Sequence, residues 1–120
     1  MKSRVAGIVA LVFSLCGCVT TQGGYQWGNY EQDLYDYLHS PEQKKRVVEN
    51  QLAFIARCER LDLTPAPGLY AEVGTLLLLD GRREQAIDFY AKERDTWPES
   101  EYLMTTIISN LEKEAANAGN

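Results

Sequence analysis

Cysteines at positions 16, 18 and 58 and a single histidine at 39 are the side chains best suited to covalent or proton-transfer chemistry. Cys18 has the most specific setting. It closes Leu15-Cys16-Gly17-Cys18, directly after an apolar run over 5–15 that Lys2 and Arg4 precede. A basic start, a short apolar stretch and a small residue before a cut site make a secretory signal peptide. The run is shorter than the ~20 residues a membrane-spanning helix requires. A cut before Cys16 would place bulky Leu15 next to the scissile bond, whereas a cut before Cys18 places Gly17 there. A cut before Cys18 is therefore expected, with 1–17 removed as a signal peptide.

This layout, with Leu15 three residues upstream of Cys18, resembles the lipobox of bacterial lipoproteins. The resemblance implies acyl chains on Cys18. With Val19 in place of Asp it also implies sorting to the outer membrane, the domain facing the periplasm. Acyl chains contribute about 0.8 kcal/mol per buried methylene, so several chains hold a protein at a membrane almost permanently.

Charge narrows the function classes. Without Lys2 and Arg4 the mature chain has ten basic and seventeen acidic residues, a net charge of −7. That argues against nucleic acid, whose binding depends on Lys and Arg neutralising phosphates. It argues equally against electrostatic attachment to anionic lipid. Cys58 would be a lone thiol, more naturally a small buried hydrophobe than a reactive group. Near Glu59, with Arg57 and Arg60 also close, its thiol pKa could be lowered, but a nucleophile needs a partner base and His39 is far in sequence. His39 directly precedes a helix start, an exposed loop position, and one histidine makes no histidine-rich metal site. Neither a glycine-rich phosphate loop nor zinc-ligand spacing is present. No catalytic residue, metal or cofactor is expected.

The elements that would position any site read as helices. Residues 18–24 form a polar tether, in which 19–24 reaches about 20 Å at full extension. A short helix begins near Asn29 and carries Leu34 and Leu38. Ser40-Pro41-Glu42-Gln43 supplies a second start, with Ser40 as cap, Pro41 at the first helical position and Gln43 closing a capping box. That helix runs to about Leu61, with Val48, Leu52, Ile55 and Ala56 on one face. Thr64-Pro65-Ala66-Pro67-Gly68 breaks it, because proline removes backbone donors and fixes φ. A third helix covers 69–79 and stops at Asp80-Gly81. A fourth covers 84–96 with Ala86, Ile87, Phe89 and Tyr90 inward, ended by Trp97-Pro98. The last covers 99–115 with Leu103, Met104, Ile107, Ile108 and Leu111 on one side, before a disordered tail at 117–120. No segment alternates with period two. The expected fold is all-α: a small antiparallel helical domain over 25–116.

Tyr70, Val73, Gly74, Leu77, Ala86, Tyr90 and Pro98 are spaced as in a tetratricopeptide repeat, and the hairpin they span resembles one. Gly74 and Ala86 are small where two helices must approach closely. Tyr70 replaces the usual Trp, and Glu93 stands where a small alanine is usual. One repeat cannot bury its own apolar faces, so the flanking helices must cover it.

Tyr25-Gln26-Trp27-Gly28-Asn29-Tyr30, Leu34-Tyr35, Pro65-Ala66-Pro67-Gly68-Leu69-Tyr70-Ala71-Glu72-Val73-Gly74 and Trp97-Pro98-Glu99-Ser100 together resemble a family of small bacterial lipoproteins, domain of unknown function 4810. The resemblance implies no activity. Its members are often encoded beside a CsgG-like lipoprotein and another small lipoprotein, which implies a place in an envelope assembly with such partners.

Tyr25, Trp27, Tyr30, Tyr35 and Tyr37 make the densest aromatic cluster of the mature chain. Aromatics with a polar edge suit interfaces, and they also suit the closing of a small core. An exposed Trp27 would favour the first reading. Trp27 and Tyr30, with Tyr70, Leu77 and Tyr90 of the helical groove, are the candidate partner-binding residues. The expected function is a membrane-anchored periplasmic lipoprotein acting as a protein-interaction module. A structural accessory subunit, stable only in its complex, is the alternative. A cell-envelope hydrolase is disfavoured by the missing site chemistry.

Overall fold

Pro41 and Pro98 each open a 3₁₀ turn in the computed structural model, which describes residues 25–119. Fixed φ and a missing N–H suit proline to that first position. Five α-helices make up the described chain, without a strand: α1 (Tyr30–His39), α2 (Lys44–Arg60), α3 (Leu69–Leu79), α4 (Arg83–Thr96) and α5 (Glu101–Ala118). The domain is all-α, as its periodicity predicts. Cys18 and the segments expected to be the signal peptide and the tether lie outside the described residues.

Several boundaries and faces differ from expectation. The turn into α2 is closed by the Ser40 backbone, not by its hydroxyl: the Gln43 N–H donates to the Ser40 carbonyl at 2.8 Å, and no side-chain cap forms. The tighter 3₁₀ turn satisfies the donor that the hydroxyl would have taken. The Gln43 side chain instead accepts from Arg46 Nε at 2.6 Å. Along α2 the buried face is Val47, Val48, Gln51, Ile55 and Cys58, while Ala56 is exposed. Gln51 turns inward because Asp33 of α1 accepts its Nε2 at 2.6 Å. On α5 the buried stripe narrows to Met104, Ile108 and Leu111, leaving Leu103 57% exposed, since only α4 covers this helix broadly. The same helix continues through Ala118, so 117 and 118 are helical instead of tail.

Consecutive helices run antiparallel. Asp33 faces Gln51 and Asp36 pairs with Arg46 at 2.8 Å, which sets α1 against α2 in opposite directions. The α3–α4 hairpin is the tightest pairing. A Cβ on Gly74 would lie 3.0 Å from the Tyr90 ring and 3.2 Å from the Ala86 carbonyl, so even a methyl there would push the two helices or the ring apart by a few tenths of an ångström. Across α4 and α5, Arg83 Nη1 donates to the Leu111 carbonyl at 3.4 Å. Val47 and Ile55 of α2, Leu69, Val73 and Leu77 of α3, Ala86 and Tyr90 of α4, and Met104 of α5 share one core. Each large aliphatic or aromatic side chain fully buried in it contributes about 1.5–3 kcal/mol.

This alternation gives the bundle two ends. At the entry pole, residues 25–29, the α2–α3 loop and the α4–α5 turn meet. Gln26 N donates to the Thr64 carbonyl at 3.1 Å, and Ala66 N donates to the Gln26 carbonyl at 3.0 Å, an isolated parallel bridge. Tyr25 meets the Trp97 ring edge-to-face with centroids 5.1 Å apart. His39, the turn into α2 and the Asp80-Gly81 turn mark the opposite pole.

Candidate interaction site

The Trp27-Gly28-Asn29 bend that feeds α1 is built around a glycine. Gly28 has φ +58°, in the left-handed region, and a Cβ there would fall 2.7 Å from the Phe54 ring of α2. Backbone hydrogen bonds then start the helix, from Tyr30 N to the Trp27 carbonyl (3.3 Å) and from Asp33 N to the Asn29 carbonyl (3.0 Å). With the backbone pressed onto Phe54, the Trp27 side chain is directed away from the core and stays 53% exposed. Its ring lies 6.1 Å from that of Tyr30, tilted by 56°.

Trp27, Asn29, Tyr30, Glu31, Gln32 and Tyr35 line an open concave face of about 810 Å³. Tyr35 stacks on His39 at 4.2 Å and is itself 58% exposed. Gln32 Nε2 is held by Asp36 Oδ1 at 2.8 Å. Half-buried Tyr30 has its phenol pKa raised first by burial and then by Glu72, so it stays a neutral hydroxyl. The face thus combines aromatic surface, one carboxylate and two amides, a set that packs against and hydrogen-bonds another molecule.

The other three candidate residues are placed elsewhere. Tyr70, Leu77 and Tyr90 are 7%, 0% and 3% exposed and belong to the packed interior of the hairpin, not to an open groove. The close approach at Gly74 shuts the space that a groove would need. The Tyr70 hydroxyl donates to Glu59 Oε1 at 3.5 Å, and its pKa is pushed up to about 12, by burial first and then by Glu59. Thr75 Oγ1 and the Tyr90 hydroxyl share a 3.0 Å hydrogen bond.

His39 and Cys58 are not brought together. His39 ends α1 at the far pole, its Nδ1 2.9 Å from the Tyr35 carbonyl. Cys58 sits in the last turns of α2, which end at the entry pole. Its thiol is buried and its pKa is raised by that burial, which outweighs the opposing pull of Arg57. Among the described residues no three His, Cys, Asp or Glu side chains gather as metal ligands, and no helix is long and apolar enough to cross a membrane.

Two buried polar contacts escaped the apolar periodicity. Glu93, 1% exposed, accepts from Gly68 N at 2.8 Å and from Ser100 Oγ at 3.1 Å, joining the two loops of the entry pole through one carboxylate. Its departure from the small residue of the repeat pattern was the available signal. Asp33 and Gln51 form the other contact, and neither carries a comparable mark in the sequence.

A family model described as Domain of unknown function (DUF4810) matches residues 25–107, which hold the aromatic bend, α1 to α4 and the start of α5. No curated protein and no solved structure matches the chain.

Proposed function

The chain belongs to the domain of unknown function 4810 family, and from that premise we propose that it is a lipid-anchored envelope protein that docks a protein partner on its Trp27–Tyr35 face. Acylation of Cys18 holds it at the outer membrane, facing the periplasm. Confinement to a surface raises its effective concentration beside other membrane-bound components, so a modest contact suffices. CsgG-like and other small envelope lipoproteins are the partners to examine first.

The outward position of Trp27 carries this reading. A domain of this size gains most by burying its aromatics, yet here the backbone is shaped by Gly28 so that Trp27 stays half in solvent. Tryptophan is enriched among the residues that dominate binding energy at interfaces. No enzymatic role is proposed.

The test is a photo-reactive amino acid at Tyr35, with a second at exposed Glu84 on α4 as control, in cells making the full chain. A discrete adduct from position 35 that disappears with Trp27→Ala, and none from position 84, is the expected result. No adduct at 35, or one indifferent to Trp27→Ala, overturns the assignment.

A further inference from the structure

We infer that the entry pole rests on zwitterionic lipid headgroups, so that the acylated protein stands with its helices directed away from the bilayer. This rests on the acylation of Cys18 proposed above. Nine large hydrophobic side chains are exposed among the described residues, and five of them, Tyr25, Leu61, Leu63, Tyr102 and Leu103, cluster near this one end. Trp27 borders them. Partial exposure of apolar side chains is ordinary when they are scattered singly, but a concentration at one end marks a contact.

Chain geometry identifies the occupant. Residues 18–24 join the bend at Tyr25, and a seven-residue step reaches at most about 25 Å. The body is as long as that reach: α2, with 17 residues, extends about 25 Å. The far pole could touch the bilayer only with the tether pulled taut along the whole bundle. The entry pole meets it with slack to spare. Tyrosine and leucine suit such a position, since a phenol has an apolar body and a polar tip for the headgroup zone.

Charge selects the kind of lipid. Around the pole Arg57, Arg60, Lys92 and Arg94 are interspersed with Glu59, Asp62, Asp95, Glu99 and Glu101, Lys92 pairing with Glu59 and Arg94 with Asp95. No basic patch is there to seek anionic headgroups. The contact is therefore made through aromatic and aliphatic side chains and is independent of anionic lipid. It also presents the Trp27–Tyr35 face sideways, toward other proteins on the same membrane.

The experiment uses the acylated full-length lipoprotein in phosphatidylcholine vesicles. Leu63→Cys at the entry pole and Glu42→Cys at the far pole each carry the fluorophore NBD; Cys58 is buried and Cys18 is occupied by lipid. Both positions are at the surface, so folding is checked by circular dichroism against the parent chain. The expected result is a blue shift and quenching by brominated acyl chains at position 63 and neither at 42, unchanged when anionic lipid is added. Vesicle flotation reads the anchor separately. Protein that floats without quenching at 63 overturns the orientation and leaves the anchor standing, whereas protein that does not float overturns both. A blue shift at 63 that follows the protein-to-lipid ratio without quenching shows a second copy on the pole, and also overturns the inference.

Discussion

Gly28 lies on the face of Phe54 so closely that a Cβ built on the glycine would be 2.7 Å from the ring. One contact thereby goes with three local features: Gly28 adopts φ +58°, Trp27 is directed outward, and the Asn29 carbonyl accepts the first turn of α1. A helix far along the chain shapes the segment on which the proposed contact depends.

Gly28→Ala should cost about 1–3 kcal/mol, because the new methyl meets the ring and the left-handed backbone is strained for alanine. Urea unfolding measures the loss, and the adduct from position 35 should weaken as Trp27 is displaced. Unchanged stability would mean that Phe54 yields freely.

Glu93→Ala should destabilise by about 1–3 kcal/mol, since the Gly68 N–H and the Ser100 hydroxyl lose a shared acceptor. Alanine is the usual residue at this point of a tetratricopeptide repeat, so the repeat pattern alone predicts a neutral or favourable change. Glu93→Gln keeps an acceptor and should lose less. Denaturation midpoints of the three proteins decide between the two expectations.

Alkaline pH should destabilise the domain through Tyr70. Its phenol ionises at about 12 in the fold and near 10 when unfolded, so above pH 10 the unfolded chain releases its proton first. Stability is full below pH 10 and is lost as the pH rises through 12, by about 2–3 kcal/mol for a gap of that size. Tyr30 and Cys58, also raised, act in the same direction. Tyr70→Phe should flatten the profile measured between pH 9 and 12, and an equally steep profile would mean that groups besides Tyr70 govern the loss.

Leu77→Ala should lose about 2–5 kcal/mol, as expected for a wholly buried leucine. Trp27→Ala should stay within about 1 kcal/mol of the parent while abolishing the adduct. Parallel thermal melts separate packing from contact. A Trp27→Ala protein as unstable as Leu77→Ala would place the indole in the core.

The helices were legible because their apolar residues recur with helical spacing and because prolines and glycines mark their ends. Gly74 and Ala86 showed the close hairpin on similar grounds: side chains this small, at these offsets, let two helix backbones come together. Which aromatics would face out was not legible. Tyr70 and Tyr90 lie on faces that the packing of α3 against α4 closes, whereas Trp27 is held outward by Phe54, whose position opposite Gly28 depends on the docking of α2. Gln51 was missed because a polar residue in an apolar stripe looks like an interruption until its partner, Asp33, is brought to it from another helix. Cys18 lies outside the described residues, and its reading rests on the sequence.

The bridge between Gln26 and the Thr64–Ala66 backbone has a mechanical meaning. Two amide hydrogen bonds and the Tyr25–Trp97 ring contact form a clasp where the chain enters the fold. Tension applied at the N-terminal side would load that clasp before it reached the first turn of α1. Its release would free a few residues of chain while the helices stay folded, so the domain would yield in stages, as a fuse protects a circuit.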